Sequence, residues 1–348
     1  MIFKNPLKKK PFIVAEISAN HNGSLPHAKK IIDIAKKYGA DSVKLQTYTP
    51  DTMTIKSNKL DFKIRAGLWK GKTLWDLYER AQTPFEWHKE LFSYAKKLKI
   101  TCFSTPFDET AVDLLESLNC PFYKISSFEM NHIPLIKKVA RTKKVIIIST
   151  GMADLDEIDL AYTTAKANGA KEVILLYCVS NYPAKLEDFN FNNIKILKDR
   201  YKCKVGFSDH SNNNRVVEYA IAAGAEVVEK HVALEGKNKS PDSSFSLKGR
   251  KIKEYIDLVR NTYKVVSKNY FFVNKPEYNN RIFRRSLYAT QNIAKGERFT
   301  KDNIKIIRPN YGVPPLFYEK LLKKKSPFFI SEETPITFRV LSKLKIKK

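Results

Sequence analysis

A chain of 348 residues that is 43% hydrophobic and 12% aromatic has material for one large core and a second small one, which excludes an intrinsically disordered protein. No apolar run reaches about 18 residues, and the basic opening Met1 to Lys10 leads into a strand without an apolar signal region, so a cytoplasmic location away from membranes is expected. A formal charge of +27 raises nucleic-acid binding, but the excess is mostly lysine spread along helix faces (Lys29, Lys30, Lys36, Lys37, Lys96, Lys97, Lys99) and denser only near the end. It reads as a solvated surface that also attracts anionic substrates, with no specific nucleic-acid partner.

From Phe12 to about Lys268, short apolar runs alternate with amphipathic ones, the pattern of βα units around a parallel sheet. Strands are expected at Phe12–Ser18, Ser42–Thr47, Ile100–Thr105, Phe122–Ser127, Val145–Thr150, Val173–Val179, Lys204–Asp209 and Val227–Val232. Between and after them, helical patterns include Ala28–Tyr38, Pro84–Leu98, Glu109–Leu118, Leu155–Asn168, Asn213–Ala223 and Lys248–Ser267, with Gly39, Gly169 and Gly224 at C-terminal cap positions. Eight units in about 270 residues predict a (β/α)8 barrel. An open doubly wound sheet would usually carry a G-x-G-x-x-G turn after its first strand, and none is present.

The stretch Pro50 to Thr83, with Trp69, Trp75 and Tyr78, is too long for a plain connection; it reads either as a lid at the barrel mouth or as an excursion with its own apolar cluster. After Lys268 the pattern changes: 269–280 reads as a linker, and 281–348 as a β-rich module with strand-like runs Ser286–Ala289, Ile304–Ile307 and Phe328–Ile330. Cys102, Cys120, Cys178 and Cys203 have no C-x-x-C spacing and are expected as buried thiols.

Catalytic groups of such barrels gather at the C-terminal strand ends. Those ends read Glu16; Lys44 and Gln46; Ser104 and Thr105; Lys124, Ser127 and Glu129; Ser149; Ser180; Ser208, Asp209 and His210; Glu229 and His231. Lys44, Lys124, Thr105, Ser127, Ser149 and Ser208 suit a ligand carrying phosphate and carboxylate. A strand-end lysine could equally form a Schiff base, as in aldolases. His210 and His231, with Asp209, Asp242 and Glu16 as supporting partners, suit a hydrated divalent ion such as Mn²⁺ or Mg²⁺. Imidazoles that merely donate to strand carbonyls remain the alternative for each histidine taken singly. Glu16, alone in a cationic surrounding, is a candidate for proton transfer or for steadying a developing cation.

The segments AEISANHNGS, GADSVKLQT, STPFDETAVDLLE, YKISSFE, STGMA, GFSDHS, EKHVAL and PDSSFSL, in this order, resemble the sialic acid synthase family over nearly the whole chain. Within it, LWKGKTLWDLYERAQTPFEWH, RRSLYA and IRPNYGVPP are most like the pseudaminic acid branch, with the N-acetylneuraminate and legionaminate branches as alternatives. The resemblance implies a TIM barrel over 1–268 followed by an antifreeze-like (SAF) domain. It further implies condensation of phosphoenolpyruvate with an N-acetylated amino sugar, here 2,4-diacetamido-2,4,6-trideoxy-altrose, with release of phosphate. By the matching motifs, His210 and His231 would ligate a divalent metal, Mn²⁺ with Mg²⁺ or Co²⁺ as substitutes, and Glu16 would be the catalytic carboxylate. Lys44, Thr105, Lys124, Ser127, Ser149, Ser180 and Ser208 would grip phosphoenolpyruvate, while Gln46, Glu129, Tyr182 and Asp242 would face the sugar. Arg308 would reach the sugar of a neighbouring subunit, which implies a domain-swapped homodimer, and flagellin or surface glycans would be the final destination of the product. Asn310 stands where glycine is expected, in a turn that could require positive φ.

Overall fold

In the computed structural model, which describes residues 11–236, 240–268 and 270–347, the β-branched runs of the first two thirds form eight parallel strands closed into one barrel. These are β1 (Phe12–Glu16), β2 (Ser42–Thr47), β3 (Thr101–Pro106), β4 (Phe122–Ile125), β5 (Val145–Ser149), β6 (Glu172–Cys178), β7 (Val205–Asp209) and β8 (Val227–Ala233). Each pairs with the next, and β1 closes on β8 with Glu16 opposite His231. The expected strands are all present; four of them, β1, β4, β5 and β6, end one or two residues early. Ser18, Ser127 and Thr150 lie beyond the ladder, where the chain turns toward the next helix.

Period-2 alternation sets which side chains enter the barrel. Phe12, Phe103 and Phe122 point inward at the lower end and pack on one another, Phe103 to Phe122 at 4.3 Å between centroids. They seal the floor. Two residues further along β3 and β4, and four along β1, Thr105, Lys124 and Glu16 enter the upper layer, so the polar groups stand on an apolar base. The outward faces of the strands pack against the helices through Val43, Leu45, Ile146, Ile148 and Val228, all fully buried.

The helices follow their local signals. Leu25–Tyr38 is capped by Ser24, which accepts from the His27 N–H, and ends at Gly39 with φ 95°. Leu155–Ala167 opens with an Asp154–Glu157 capping box. The helix expected from Asn213 starts at Val216, because Asn213 turns the chain by accepting from Arg215 N–H. Two crossover helices, Ile133–Arg141 and Asn192–Tyr201, and a long closing helix, Arg250–Val266, complete the ring.

Gly206 in β7 is the inward position with least room: a Cβ there would meet Leu176 Cδ2 at 2.6 Å and Val227 Cβ at 2.7 Å, with the Val227 carbonyl nearer still. Gly206→Ala is expected to destabilise the barrel by about 1–3 kcal/mol or more. Thermal denaturation checks this, and an unchanged melting temperature would refute the crowding.

The chain divides into two compact units, 1–267 and 268–348. In the second, a short helix (Lys275–Asn279) forms within the stretch read as a linker, and Ser286–Ala289 pairs antiparallel with Ile304–Ile307. Phe328–Ile330 is not a strand. It contributes only the Ile293–Ile330 bridge, since Pro327 lacks the N–H that a continuing ladder needs. Asn310 does not take positive φ. The tight glycine in this turn is Gly312, whose Cβ would meet the Leu287 carbonyl and lie 3.1 Å from Ile336 O. Among the described residues the four cysteines are free thiols, and no helix is long and apolar enough to cross a membrane.

Candidate functional site

The strand ends open into a cavity of about 450 Å³. Lys44, Gln46, Lys124, Ser127, Glu129, Ser149, Ser180, Tyr182, Ser208, His210, His231 and Asp242 line it; Glu16 and Thr105 lie directly beneath, joined to it through Lys44. One pocket, with Glu16 and Thr105 at its base, therefore gathers the site residues expected in the first unit apart from Asp209. Arg308 lies in the second unit, exposed, just beyond Ile304–Ile307.

At the cavity base, Lys44 is a buried ammonium between two carboxylates, 2.6 Å from Glu16 Oε2 and 3.6 Å from Glu229 Oε1, and it donates to Thr105 Oγ1 at 3.1 Å. Burial disfavours its charge, yet Glu16 and Glu229 together raise its pKa. Lys124 is equally buried and donates to Ser149 Oγ at 2.6 Å and to Ile125 O; burial lowers its pKa, with Glu229 opposing. The two carboxylates are driven apart. Burial pushes Glu16 up to about 7, resisted by Lys44 and assisted by Glu229. Glu229 is also buried, but Lys44, Lys124 and His210 outweigh burial and hold it below the ordinary range. One carboxylate thus stays ionised while its neighbour exchanges a proton near neutrality, the division of labour that separates acid–base partners.

The sequence marks Glu229 as a strand end without assigning it a role. It stands two residues before His231 on one strand, hence on the same face, and that was the available signal. The same alternation removes Asp209 from the cavity. With Ser208 and His210 inward, Asp209 points outward, pairing with Lys230 at 3.2 Å and accepting from Tyr255 OH at 2.8 Å. It ties β7 to the closing helix and supports no metal. Ser104 likewise faces outward, bonded to Thr47.

Across the cavity stand the imidazoles of His210 and His231, 5.6 Å apart between centroids. His210 Nδ1 lies 2.9 Å from Val179 O, an arrangement in which Nδ1 carries the proton and Nε2 keeps its lone pair. Burial holds His210 down to about 4; it depresses His231 well below the imidazole range, with His210 and Lys44 adding to the effect. Both rings are neutral at physiological pH. Tyr182 lies 4.4 Å from the His210 ring, and Phe245, which no strand-end pattern marks, lies 5.0 Å from that of His231.

Several buried polar atoms here have no hydrogen-bond partner among the described residues: Glu16 Oε1, Glu229 Oε2 and His231 Nδ1, the last 4.0 Å from Asp242 Oδ2. Buried groups left this way usually meet a ligand, water or ion. Two neutral imidazoles beside such acceptors fit a divalent cation. Among the described residues no three His, Cys, Asp or Glu side chains gather closely enough to hold one unaided, so its remaining ligands would be water or substrate.

Ser127 and Ser180 meet at 2.9 Å between hydroxyls. Gly151 makes room for the pair, since a Cβ there would collide with Ser180 Oγ and lie 2.8 Å from Cys178 Sγ. Asp242 accepts from Ser18 Oγ and from Ala19 N–H, and burial raises its pKa. Ser18 takes φ 46°, a strained geometry for a non-glycine residue, as it presents its hydroxyl to Asp242. The stretch Pro50 to Thr83 forms one wall of the cavity through Met53, Ile64, Trp69, Leu74, Leu77, Tyr78 and Ala81, which favours the lid reading over a detached excursion.

Comparison with known proteins bears on this arrangement. Residues 31–270 match the NeuB family model and residues 284–339 match the SAF domain model. The pseudaminic acid synthase of Campylobacter jejuni is 43% identical over 91% of this chain and 93% of its own length. The N,N'-diacetyllegionaminic acid synthase of the same organism is 38% identical over 91% of this chain and 96% of its own. Among solved structures, the N-acetylneuraminic acid synthetase of Leptospira borgpetersenii, in complex with citrate, is similar at a TM-score of 0.70 and 27% identity, over 78% of this chain and 90% of that one.

Proposed function

The chain belongs to the NeuB family and carries a SAF domain, and from that membership we propose that it is a pseudaminic acid synthase. It joins phosphoenolpyruvate to 2,4-diacetamido-2,4,6-trideoxy-β-L-altropyranose in its open-chain form, releasing phosphate. One observation carries the reaction type: two buried lysines and a ring of hydroxyls face two neutral imidazoles across a single cavity, which suits an anionic nucleophile opposite a carbonyl electrophile. The choice of sugar follows the higher identity to the pseudaminic acid enzyme, 43% against 38%.

In this reading Lys44 and Lys124 hold the phosphate and carboxylate of phosphoenolpyruvate, with Thr105, Ser127, Ser149, Ser180 and Ser208 donating to the remaining oxygens. A divalent ion at His210 and His231, Mn²⁺ in our reading, supplies Lewis acidity toward the sugar aldehyde when bound. C3 of phosphoenolpyruvate forms the new bond to the aldehyde carbon, whose oxygen takes up a proton. Water then adds at the cationic C2, its proton passing to Glu16; the bond from C2 to the phosphate oxygen then breaks as the new hydroxyl becomes the C2 carbonyl, its proton leaving with the phosphate. Gln46, Glu129, Tyr182 and Asp242 orient the sugar. No Schiff base is required, because the lysines act as fixed charges.

The end of the closing helix exposes Val265, and the start of the second unit exposes Tyr270, Phe271 and Phe283, with Phe271 95% exposed. Such a stretch favours cover by another chain, which supports a homodimer in which Arg308 of one copy serves the cavity of the other. In this reading the protein works in the cytoplasm.

Phosphate release from phosphoenolpyruvate, measured with a panel of acetamido sugars, tests the assignment. The altrose compound is expected to be turned over far faster than N-acetylmannosamine or the legionaminate precursor, and the reverse order would reject this choice of sugar. Treatment with a chelator should abolish the activity and added Mn²⁺ restore it. Full turnover after chelation, with a borohydride-trapped pyruvyl-lysine, would instead establish an aldolase.

A further inference from the structure

We infer that the lid reads the sugar end remote from the aldehyde, and that Trp69 is a specificity-determining residue favouring a 6-deoxy sugar over its 6-hydroxy counterpart. This rests on the reaction proposed above.

The stretch 50–83 is rich in charge, with Lys56, Lys59, Arg65, Lys70, Asp76, Glu79 and other ionic residues, yet every side chain it sends into the cavity is apolar or aromatic. In a chain of net charge +27 this segregation needs a cause. The amphipathic helix Leu74–Ala81 supplies part of it, turning Leu74, Leu77 and Tyr78 to the cavity while Asp76, Glu79 and Arg80 stay exposed. Trp69 supplies the rest. Its indole Nε1 donates to Pro241 O at 3.2 Å, which uses the only polar atom of the side chain and leaves the ring as a hydrocarbon surface.

Position follows from ring spacings. Trp69 lies 6.0 Å from Tyr182, and Tyr182 lies 4.4 Å from His210. An open-chain hexose spans roughly 6 Å from C1 to C6, since each bond is near 1.5 Å. With the aldehyde at the imidazole pair and the phosphoenolpyruvate groups on the lysines below, C6 falls toward the lid, within reach of the Trp69 face. A methyl group at C6 is buried there without loss. Met53, Ile64, Leu74, Leu77 and Ala81 offer a hydroxymethyl group no donor or acceptor and the Trp69 N–H is taken, so against the Trp69 face it loses its water unpaired; the Tyr78 hydroxyl is the one other polar side-chain atom this stretch brings to the cavity. An apolar pocket rejects an added hydroxyl by only about 10²-fold, so that is the discrimination expected of this wall.

The test compares kcat/KM for a matched pair of acetamido sugars differing only at C6, deoxy or hydroxy, in the wild-type protein, Trp69→Phe and Trp69→Ala. The wild type should favour the 6-deoxy sugar by about 10²-fold. Trp69→Phe, which keeps the apolar face but loses the bond to Pro241, should retain most of that preference. Trp69→Ala should reduce it at least tenfold through a raised KM for the deoxy sugar, with KM for phosphoenolpyruvate little changed. An equal preference in wild type and Trp69→Ala, or none in the wild type, would overturn the assignment. Failure of the wild type to release phosphate with any acetamido sugar would instead overturn the reaction itself, and the lid's role with it.

Discussion

Replacing His210 or His231 by alanine should yield a folded protein that has lost at least about 10³-fold of its turnover, because the carbonyl-activating interaction is worth several kcal/mol and each 1.36 kcal/mol is tenfold in rate. Folding should survive because both rings sit at the cavity rather than in the apolar core. The His210 ring makes one hydrogen bond, to Val179 O, whose loss costs about 1 kcal/mol. Two measurements separate chemistry from structure: Mn²⁺ binding followed by electron paramagnetic resonance, and the thermal transition. Both variants should bind Mn²⁺ far more weakly while melting within a few degrees of the wild type. Near-normal turnover in either would remove the imidazole pair from the mechanism.

Glu16→Gln should lower kcat by about 10²–10⁴-fold, the range for loss of a positioned proton-transfer group, with little change in stability. Glutamine occupies the same volume, and its carbonyl can still accept from Lys44, which keeps Glu229 at 3.6 Å. The pH profile sharpens the test. Burial raises the Glu16 carboxyl to about 7, so in the free enzyme it is ionised above that pH and protonated below it. If the ionised form accepts the proton of water, kcat/KM of the wild type falls as pH drops through about 7, and this limb is missing from Glu16→Gln. A variant that keeps both full rate and the acid limb would assign the proton transfer elsewhere, with Glu229 the next candidate.

The linkage to stability has a definite sign. A carboxyl whose pKa is raised on folding is strained in its ionised form, so Glu16 favours the folded state less as pH rises through about 7. The depressed Glu229 acts oppositely, contributing stability that is present above its unfolded pKa and lost as acid protonates it.

The sequence by itself determined the barrel and much of its mouth. Eight short β-branched runs separated by amphipathic stretches leave few other folds, and a strand that buries Phe122 and Lys124 on one face announces which residues share that face. Strand alternation also contains the outward turn of Asp209 and the inward place of Glu229, a signal local to β7 and β8. Other features depended on groups far apart in the chain. The opposite shifts of Glu16 and Glu229 arise because Lys44, Lys124 and His210 meet them in a space closed to water, and no spacing along the sequence reports that balance of burial against charge. The lid is the same case: its charges dominate the sequence, whereas its function follows from the few apolar side chains that face inward once Trp69 meets Pro241, 172 residues away. Local patterning fixes which element forms and which face it presents. Only the assembled structure decides which faces meet, and therefore how strongly a buried group holds its proton and what a cavity wall can recognise.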